Sequence, residues 1–274
     1  MEPVQGIILG IIQGLTEFLP VSSSGHLVLT RYLFGLREPA LFFDISVHLG
    51  TLLATTIVFR KDILQIFMAL LAWARSRRNS SSESTHHNKE GLRFALLVLV
   101  GSVPTALIGL AIGRAEQYFA SLYLVGIMLI VTAVLLWLTR GIGQTGRPIT
   151  RFSGPKGFLV GCAQGIAVLP GMSRSGTTIA AGLFLGLTRE DAARLSFLMS
   201  IPAIAGAELL SAKDLLSGTV QLDAATILGT LTAFGVGYAA LKTLMRIVRH
   251  GRFYLFAPYC LVVGGTALGC AFFI

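Results

Sequence analysis

Long apolar blocks, each closed by a short polar segment, organise most of the chain. Blocks at 41–59, 94–112, 122–139, 191–210, 223–245 and 253–274 each approach the length a helix needs to cross a bilayer, about 20 residues. Lipid offers no partner to a free backbone N–H or C=O, so helices are the expected form. The blocks lack the period-two alternation of barrel strands. Two further blocks are broken. Residues 4–20 contain Gln13 and Glu17 and run into Ser22-Ser23-Ser24, after which a short apolar piece, 26–36, resumes. Residues 157–187 break in the same way around Ser173, Arg174 and Ser175. Neither half of the first broken block can span alone. Each broken block is therefore read as a re-entrant helix–loop–helix whose irregular backbone is buried in protein. Residues 63–74 read as a short interfacial or partly inserted helix. The expected fold is an all-α polytopic membrane protein with six transmembrane helices plus two re-entrant helix hairpins.

The two broken blocks are copies. Gly10 and Gly161, Gln13 and Gln164, Gly14 and Gly165, Ser22 and Ser173, Ser24 and Ser175, Gly25 and Gly176, and Gly35-Leu36 and Gly186-Leu187 are each 151 residues apart. Ordinary composition would give roughly two such identities in a window of this length. Loop charge sets their direction. Segments 75–93 (Arg75, Arg77, Arg78, Lys89, Arg93) and 140–156 (Arg140, Arg147, Arg151, Lys156) are basic. So is the junction with Lys242, Arg246, Arg249 and Arg252, whereas 113–121 and 208–223 are balanced or acidic. The positive-inside rule puts the basic group in the cytoplasm and both termini outside. One hairpin then enters from each side, which defines an inverted-topology repeat with its broken helices meeting near the midplane. The expected organisation is one membrane domain. The first repeat is 1–74 with its hairpin at 4–36, and a helix pair follows at 94–139. The second repeat is 157–245 with its hairpin at 157–187, and 253–274 is the last span.

Composition agrees. The chain has 274 residues, 54% hydrophobic and 13% charged, against about 25% charged in a soluble domain. Its 31 glycines suit close helix packing in lipid. The net charge of +9 is accounted for by the basic loops, so membrane lipid and no nucleic acid is expected as a partner. The N-terminus has neither a basic n-region nor a small-residue cleavage site, and a cleaved signal is not expected. Cys162, Cys260 and Cys270 lie in apolar segments without ligand-like spacing and read as small buried hydrophobes.

The chemistry concentrates in the two breaks. Gln13 and Glu17 lie i,i+4 on one helical face, and an acid inside the membrane is a functional candidate. Ser22, Ser23, Ser24 and Gly25 precede a helix expected to begin near His26. They can cap it, or leave its N–H groups open to an anion. Ser173, Arg174, Ser175 and Gly176 repeat this before a helix at 177–187, with Thr178 just inside. Arg174 suits bidentate phosphate binding, or an ion pair with Glu17. His26 can exchange a proton near neutral pH. His48 and Asp44, also i,i+4, either line the cavity or pair with each other. The copies divide their labour. Glu17, Ser23 and His26 in the first stand where Val168, Arg174 and Thr177 stand in the second. An asymmetric reaction needs such a division and a symmetric pore does not.

At these residues the chain resembles the undecaprenyl-diphosphatase family, the bacitracin-resistance integral membrane phosphatases. The family's (Glu/Gln)-x-x-x-Glu motif with a Ser/Thr-rich stretch and Gly-His stands here as Gln13 through Glu17, then Ser22-Ser23-Ser24-Gly25-His26. Its Pro-Gly-x-Ser-Arg-Ser-x-x-Thr motif stands as Pro170 through Thr178. The resemblance covers essentially the whole chain. It implies hydrolysis of undecaprenyl diphosphate to undecaprenyl phosphate and inorganic phosphate, recycling the lipid carrier of cell-wall synthesis at the outer face of the bacterial inner membrane. It also implies a divalent cation, Mg²⁺ or Ca²⁺. Position 13 is the Gln variant, so a two-glutamate metal site at 13 and 17 is not carried over.

On that footing Ser23 is the expected nucleophile, with a metal-activated water as the alternative, and His26 the general base or acid. Arg174 and the N–H groups near Ser24, Gly25, Ser175 and Gly176 are expected to stabilise the transferring phosphoryl. Glu17 is expected to hold the cation or orient a proton carrier. Gln13, Ser22, Ser173 and Thr178 complete the expected substrate site. A homodimer is kept as an expectation. A transporter or flippase of an anionic prenyl lipid is the rival reading, because inverted repeats are common in transporters. The other lipid phosphatase family with a Ser-Gly-His motif also needs an Arg-Pro pair and a second His with a downstream Asp, and no such His stands here.

Overall fold

The structure is a computed structural model that describes residues 1–36, 41–76, 86–113, 121–142, 145–215 and 223–273. Helices α1 (Pro3–Phe18) and α2 (Ser23–Leu33) form the first hairpin, followed by α3 (Leu41–Val58), α4 (Arg60–Ser76), α5 (His86–Gly113) and α6 (Leu122–Leu138). Helices α7 (Gly154–Ile166) and α8 (Arg174–Phe184) form the second, followed by α9 (Arg189–Leu215), α10 (Ala224–Arg249) and α11 (Ala257–Phe273). Six segments are long and apolar enough to cross a membrane: Leu41–Val58, Asn88–Ile112, Leu122–Gly141, Arg189–Ser211, Ala224–Arg249 and Phe253–Phe272. The chain is thus a multi-pass membrane protein of helical type. Helices α1, α2, α7 and α8 have only 16, 11, 13 and 11 residues. At 1.5 Å per residue none reaches across about 30 Å, which is consistent with re-entrant hairpins.

Two helices extend into segments read as loops. Helix α5 starts at His86, inside the segment read as a loop over 75–93. Its polar first turns are anchored by protein: Glu90 accepts from Arg194 at 2.8 Å, and the Arg93 guanidinium donates to the Phe152 carbonyl. Helix α9 runs to Leu215, through the start of the segment read as an acidic loop over 208–223. The stretch Ala207-Glu208-Leu209-Leu210-Ser211-Ala212-Lys213 is rich in strong helix formers, and propensity carries the helix on. Residues 77–85, 114–120 and 216–222, on which part of the loop-charge argument rests, lie outside the described residues.

The halves interlock. Helix α1 of the first half packs along α10 of the second, and α7 of the second packs along α5 of the first. The contacts are backbone to backbone. A Cβ on Gly10 would sit 2.3 Å from the Gly229 carbonyl oxygen, and one on Gly161 would sit 2.1 Å from that of Gly101. Gly10 and Gly161 are repeat equivalents, so the same device is used twice. Small residues allow this approach where apolar burial gives helices no preference for each other over lipid. Gly161→Val is therefore expected to destabilise the fold by about 1–3 kcal/mol, the usual effect of overpacking. Thermal unfolding in detergent measures it, and an unchanged midpoint would contradict the contact.

The hairpin tips meet between the halves, where Ser175 Oγ at the second tip donates to the Phe18 carbonyl at the end of α1, 2.8 Å away. Phe18, Phe59 and Phe197 pack beneath them, with ring centroids 5.9 Å (Phe18–Phe197) and 5.7 Å (Phe59–Phe197) apart. At one end of the bundle Arg194 ties α4, α5 and α9 together through Asp62 (2.5 Å), Glu90 (2.8 Å) and Asp191 (3.3 Å).

Candidate active site

Both tip helices begin one turn earlier than the sequence suggests, and this builds the site. Ser23 and Arg174 are the first residues of α2 and α8. They are repeat equivalents, and both reach Glu17 in the last turn of α1. Glu17 Oε1 accepts from Arg174 Nη2 at 2.6 Å. Glu17 Oε2 accepts from Ser23 Oγ at 2.8 Å and from Gln13 Nε2 at 3.2 Å. One buried carboxylate thus joins the acid, hydroxyl and cation that the two motifs supply separately. The other guanidinium arm, Arg174 Nη1, is buried and has no partner among the described residues. A buried donor left unpaired costs free energy, so it stands ready for an added acceptor.

The helix starts differ in one respect. Ser173 caps α8, its Oγ accepting from the Gly176 N–H at 3.1 Å. Its counterpart Ser22 adopts φ +71°, the left-handed region, and makes no equivalent cap bond among the described residues. Its hydroxyl lies 3.3 Å from that of Ser24. The first N–H groups of α2 thus have no serine cap among the described residues.

These groups face a cavity of about 240 Å³. Of the residues singled out from sequence, Glu17, Ser22, Ser23, Ser24, Ser173 and Arg174 line it. Gln13, Gly25, Ser175, Gly176 and Thr178 do not. Three of them support residues around it: Gln13 bonds Glu17, Ser175 bonds the Phe18 carbonyl, and Thr178 Oγ1 donates to the Arg174 carbonyl at 2.8 Å. Pro104 and Pro202 lie inside α5 and α9 beside the wall residues Thr105 and Ala203.

The histidines are placed differently from the sequence expectation. His26 does not line the cavity. Its Nδ1–H donates to the Ser22 carbonyl at 2.8 Å, and its Nε2 lies 2.7 Å from the Tyr259 hydroxyl on α11. His48 does line it, with Nε2 3.9 Å from Glu17 Oε2 and Nδ1–H donating to the Asp44 carbonyl at 2.8 Å. Asp44 does not ion-pair with His48, because its carboxylate is held by Arg31. Glu208 also lines the cavity, 3.8 Å from His48 Nδ1. Sequence reasoning passed over it as the edge of an acidic loop. The available signal was an acid at the end of an apolar span, where charge is expensive.

The expected divalent cation can be weighed against these donors. Among the described residues no three His, Cys, Asp or Glu are grouped to hold a metal ion by themselves. The cavity does offer two carboxylates, Glu17 and Glu208, and Glu208 has no hydrogen bond among the described residues. Mg²⁺ is commonly held by one or two carboxylates with substrate phosphates supplying further oxygens. Glu17 is already engaged by Arg174, Ser23 and Gln13, so Glu208 is the carboxylate left open to a hard cation arriving with a diphosphate, and the expected cation role of Glu17 passes to it.

Comparison with known proteins gives a consistent result. The family model of bacitracin resistance protein BacA matches residues 6–266. An undecaprenyl-diphosphatase of Desulfosudis oleivorans is 60% identical over 268 residues, 98% of each chain. Those of Desulforapulum autotrophicum and Desulfatibacillum aliphaticivorans are 52% and 44% identical, over 96% and 98% of each chain.

Proposed function

The chain belongs to the bacitracin resistance protein BacA family, and from that membership we infer that it hydrolyses undecaprenyl diphosphate to undecaprenyl phosphate and inorganic phosphate. The enzyme is a phosphatase that returns the lipid carrier to peptidoglycan synthesis, and bacitracin resistance follows from that recycling. The observation that carries the mechanism is the double use of Glu17, which accepts from Ser23 and Arg174 on the wall of one cavity.

Ser23 Oγ attacks the terminal phosphorus while its proton passes to Glu17 Oε2, 2.8 Å away. The bridging P–O bond breaks, and the proton on Glu17 goes to the departing undecaprenyl phosphate. Water then takes the phosphoryl group, its oxygen bonding phosphorus and one of its protons returning to Ser23 Oγ, and inorganic phosphate leaves. Arg174 Nη1 and the first N–H groups of α2 meet the phosphoryl oxygens, where preorganised donors act most strongly. A divalent cation held by Glu208 together with the diphosphate would neutralise substrate charge, leaving Glu17 to its bonds with Arg174 and Ser23.

The cavity lies in the half of the bundle away from the basic end. Glu208 follows Arg194 by about 20 Å along α9 at 1.5 Å per residue. With the basic end cytoplasmic, the site is reached from the periplasmic face of the bacterial inner membrane. Val168 and Ala207 on the cavity wall are exposed, which leaves the prenyl chain a lateral path in lipid.

The test is phosphate release from polyprenyl diphosphate by the purified protein, before and after chelation. Release is expected to stop with chelator and return with Mg²⁺ or Ca²⁺. No release with either cation present would overturn the assignment. Glu208→Gln is expected to raise the cation concentration needed for half-maximal rate by roughly tenfold or more, the scale on which supporting metal-site groups act. An unchanged requirement would remove Glu208 from the cation site.

A further inference from the structure

We infer that Tyr259, on the last helix, is a positioning residue that acts through His26 to fix the strained Ser22 turn and so aims Ser23. This inference rests on the phosphatase reading above.

The chain of contacts is complete. A carbonyl only accepts, so the 2.8 Å contact of His26 Nδ1 with the Ser22 carbonyl puts the ring proton on Nδ1. Nε2 of the neutral ring is then an acceptor, and the Tyr259 O–H fills it at 2.7 Å. The two rings lie nearly parallel, 11° apart with centroids 5.8 Å apart, as an in-plane edge-to-edge hydrogen bond requires. Both ring nitrogens are thus committed, and neither faces the reaction cavity.

The Ser22 carbonyl needs this support. Ser22 is the one non-glycine residue with positive φ among the described residues. Such a conformation persists only where its surroundings over-determine it. The backbone bond that would close the first turn, His26 N–H to the Ser22 carbonyl, is stretched to 3.4 Å. In the other copy the equivalent bond, Thr177 N–H to the Ser173 carbonyl, is 2.9 Å, and Ser173 has an ordinary φ of −79°. The copy with the relaxed turn has Thr177 where the strained one has His26. The imidazole therefore replaces at Ser22 what the backbone supplies at Ser173. Ser23 is the next residue, so a change in the Ser22 turn swings its hydroxyl relative to Glu17. Tyr259 locks the tautomer and the ring, as second-shell partners orient the histidines they touch.

The test compares Tyr259→Phe, His26→Asn and His26→Ala in the full chain, measuring kcat, KM, the pH profile and thermal unfolding. Asn can place its amide N–H where Nδ1–H stood but cannot act as a base. Tyr259→Phe is expected to lower kcat roughly two- to tenfold, the span of one neutral hydrogen bond. KM and the unfolding midpoint are expected to stay put. His26→Asn is expected to recover most of the rate that His26→Ala loses, with the wild-type pH profile. A wild-type kcat in Tyr259→Phe, or an Asn variant as inactive as the Ala variant, overturns the inference and returns His26 to a proton-transfer role. Absence of phosphate release from the wild-type protein would instead overturn the phosphatase reading.

Discussion

Ser23→Ala is expected to lower kcat for phosphate release by on the order of 10³-fold or more, because it removes the attacking atom itself. The substrate is held mainly by Arg174 and the α2 N-terminus in this account, so KM should change far less than kcat. That split separates loss of chemistry from loss of binding. Glu17 keeps its bonds to Arg174 and Gln13 in the variant, so the fold should survive. A rapid quench of the wild-type enzyme with labelled diphosphate should trap phosphoserine at Ser23 and nothing in the variant. If Ser23→Ala turns over at the wild-type rate, a water molecule near Glu17 makes the attack and Ser23 is only a ligand. The same variant decides against the transport rival, which needs no covalent step and predicts undiminished lipid movement.

Why much of this is legible in the sequence, and some is not, follows from where each residue's partners lie. The constant spacing between Gln13 and Gln164, or Ser22 and Ser173, marks a repeat without any knowledge of packing. Opposed loop charges then predict that it is inverted and that the tips come together. That Glu17 and Arg174 come within reach of each other, as a pair or across a bound phosphate, follows from that symmetry. The direction of a side chain does not. His26 sits one helical turn from Ser23 in sequence and reads as its base. Its ring is turned instead by Tyr259, 233 residues away, and by a backbone angle at Ser22 that sequence does not disclose. His48 and Asp44 share a helix face and read as a pair, but Arg31 takes the Asp44 carboxylate and releases the imidazole to the cavity. Glu208 was hidden by a boundary: helix-forming residues extend α9 past the point where acidity suggested a loop.

Arg174→Lys is expected to lower kcat by about 10²- to 10³-fold while leaving the fold intact, and the reason lies in the two arms of the guanidinium. Nη2 is committed to Glu17 at 2.6 Å, and Nη1 is buried without a partner among the described residues. In the proposed mechanism one side chain thus holds the base in place and still offers a donor to the phosphoryl group. An ammonium is a single point charge and cannot span both positions in a fixed fork. Lysine therefore keeps the buried acid compensated but gives up the transition-state contact, whose loss is worth about 10²–10³ in rate at comparable sites. Arg174→Ala gives up both. It strands a buried carboxylate, and removing one partner of such a pair destabilises by about 3–5 kcal/mol. The pair of variants separates the roles: unfolding midpoints should fall for Ala and hold for Lys, while activity falls for both. A Lys variant with wild-type kcat would mean that charge alone suffices. The unpaired arm would then have no part in the chemistry, and the site would bind phosphate through the helix N-terminus instead.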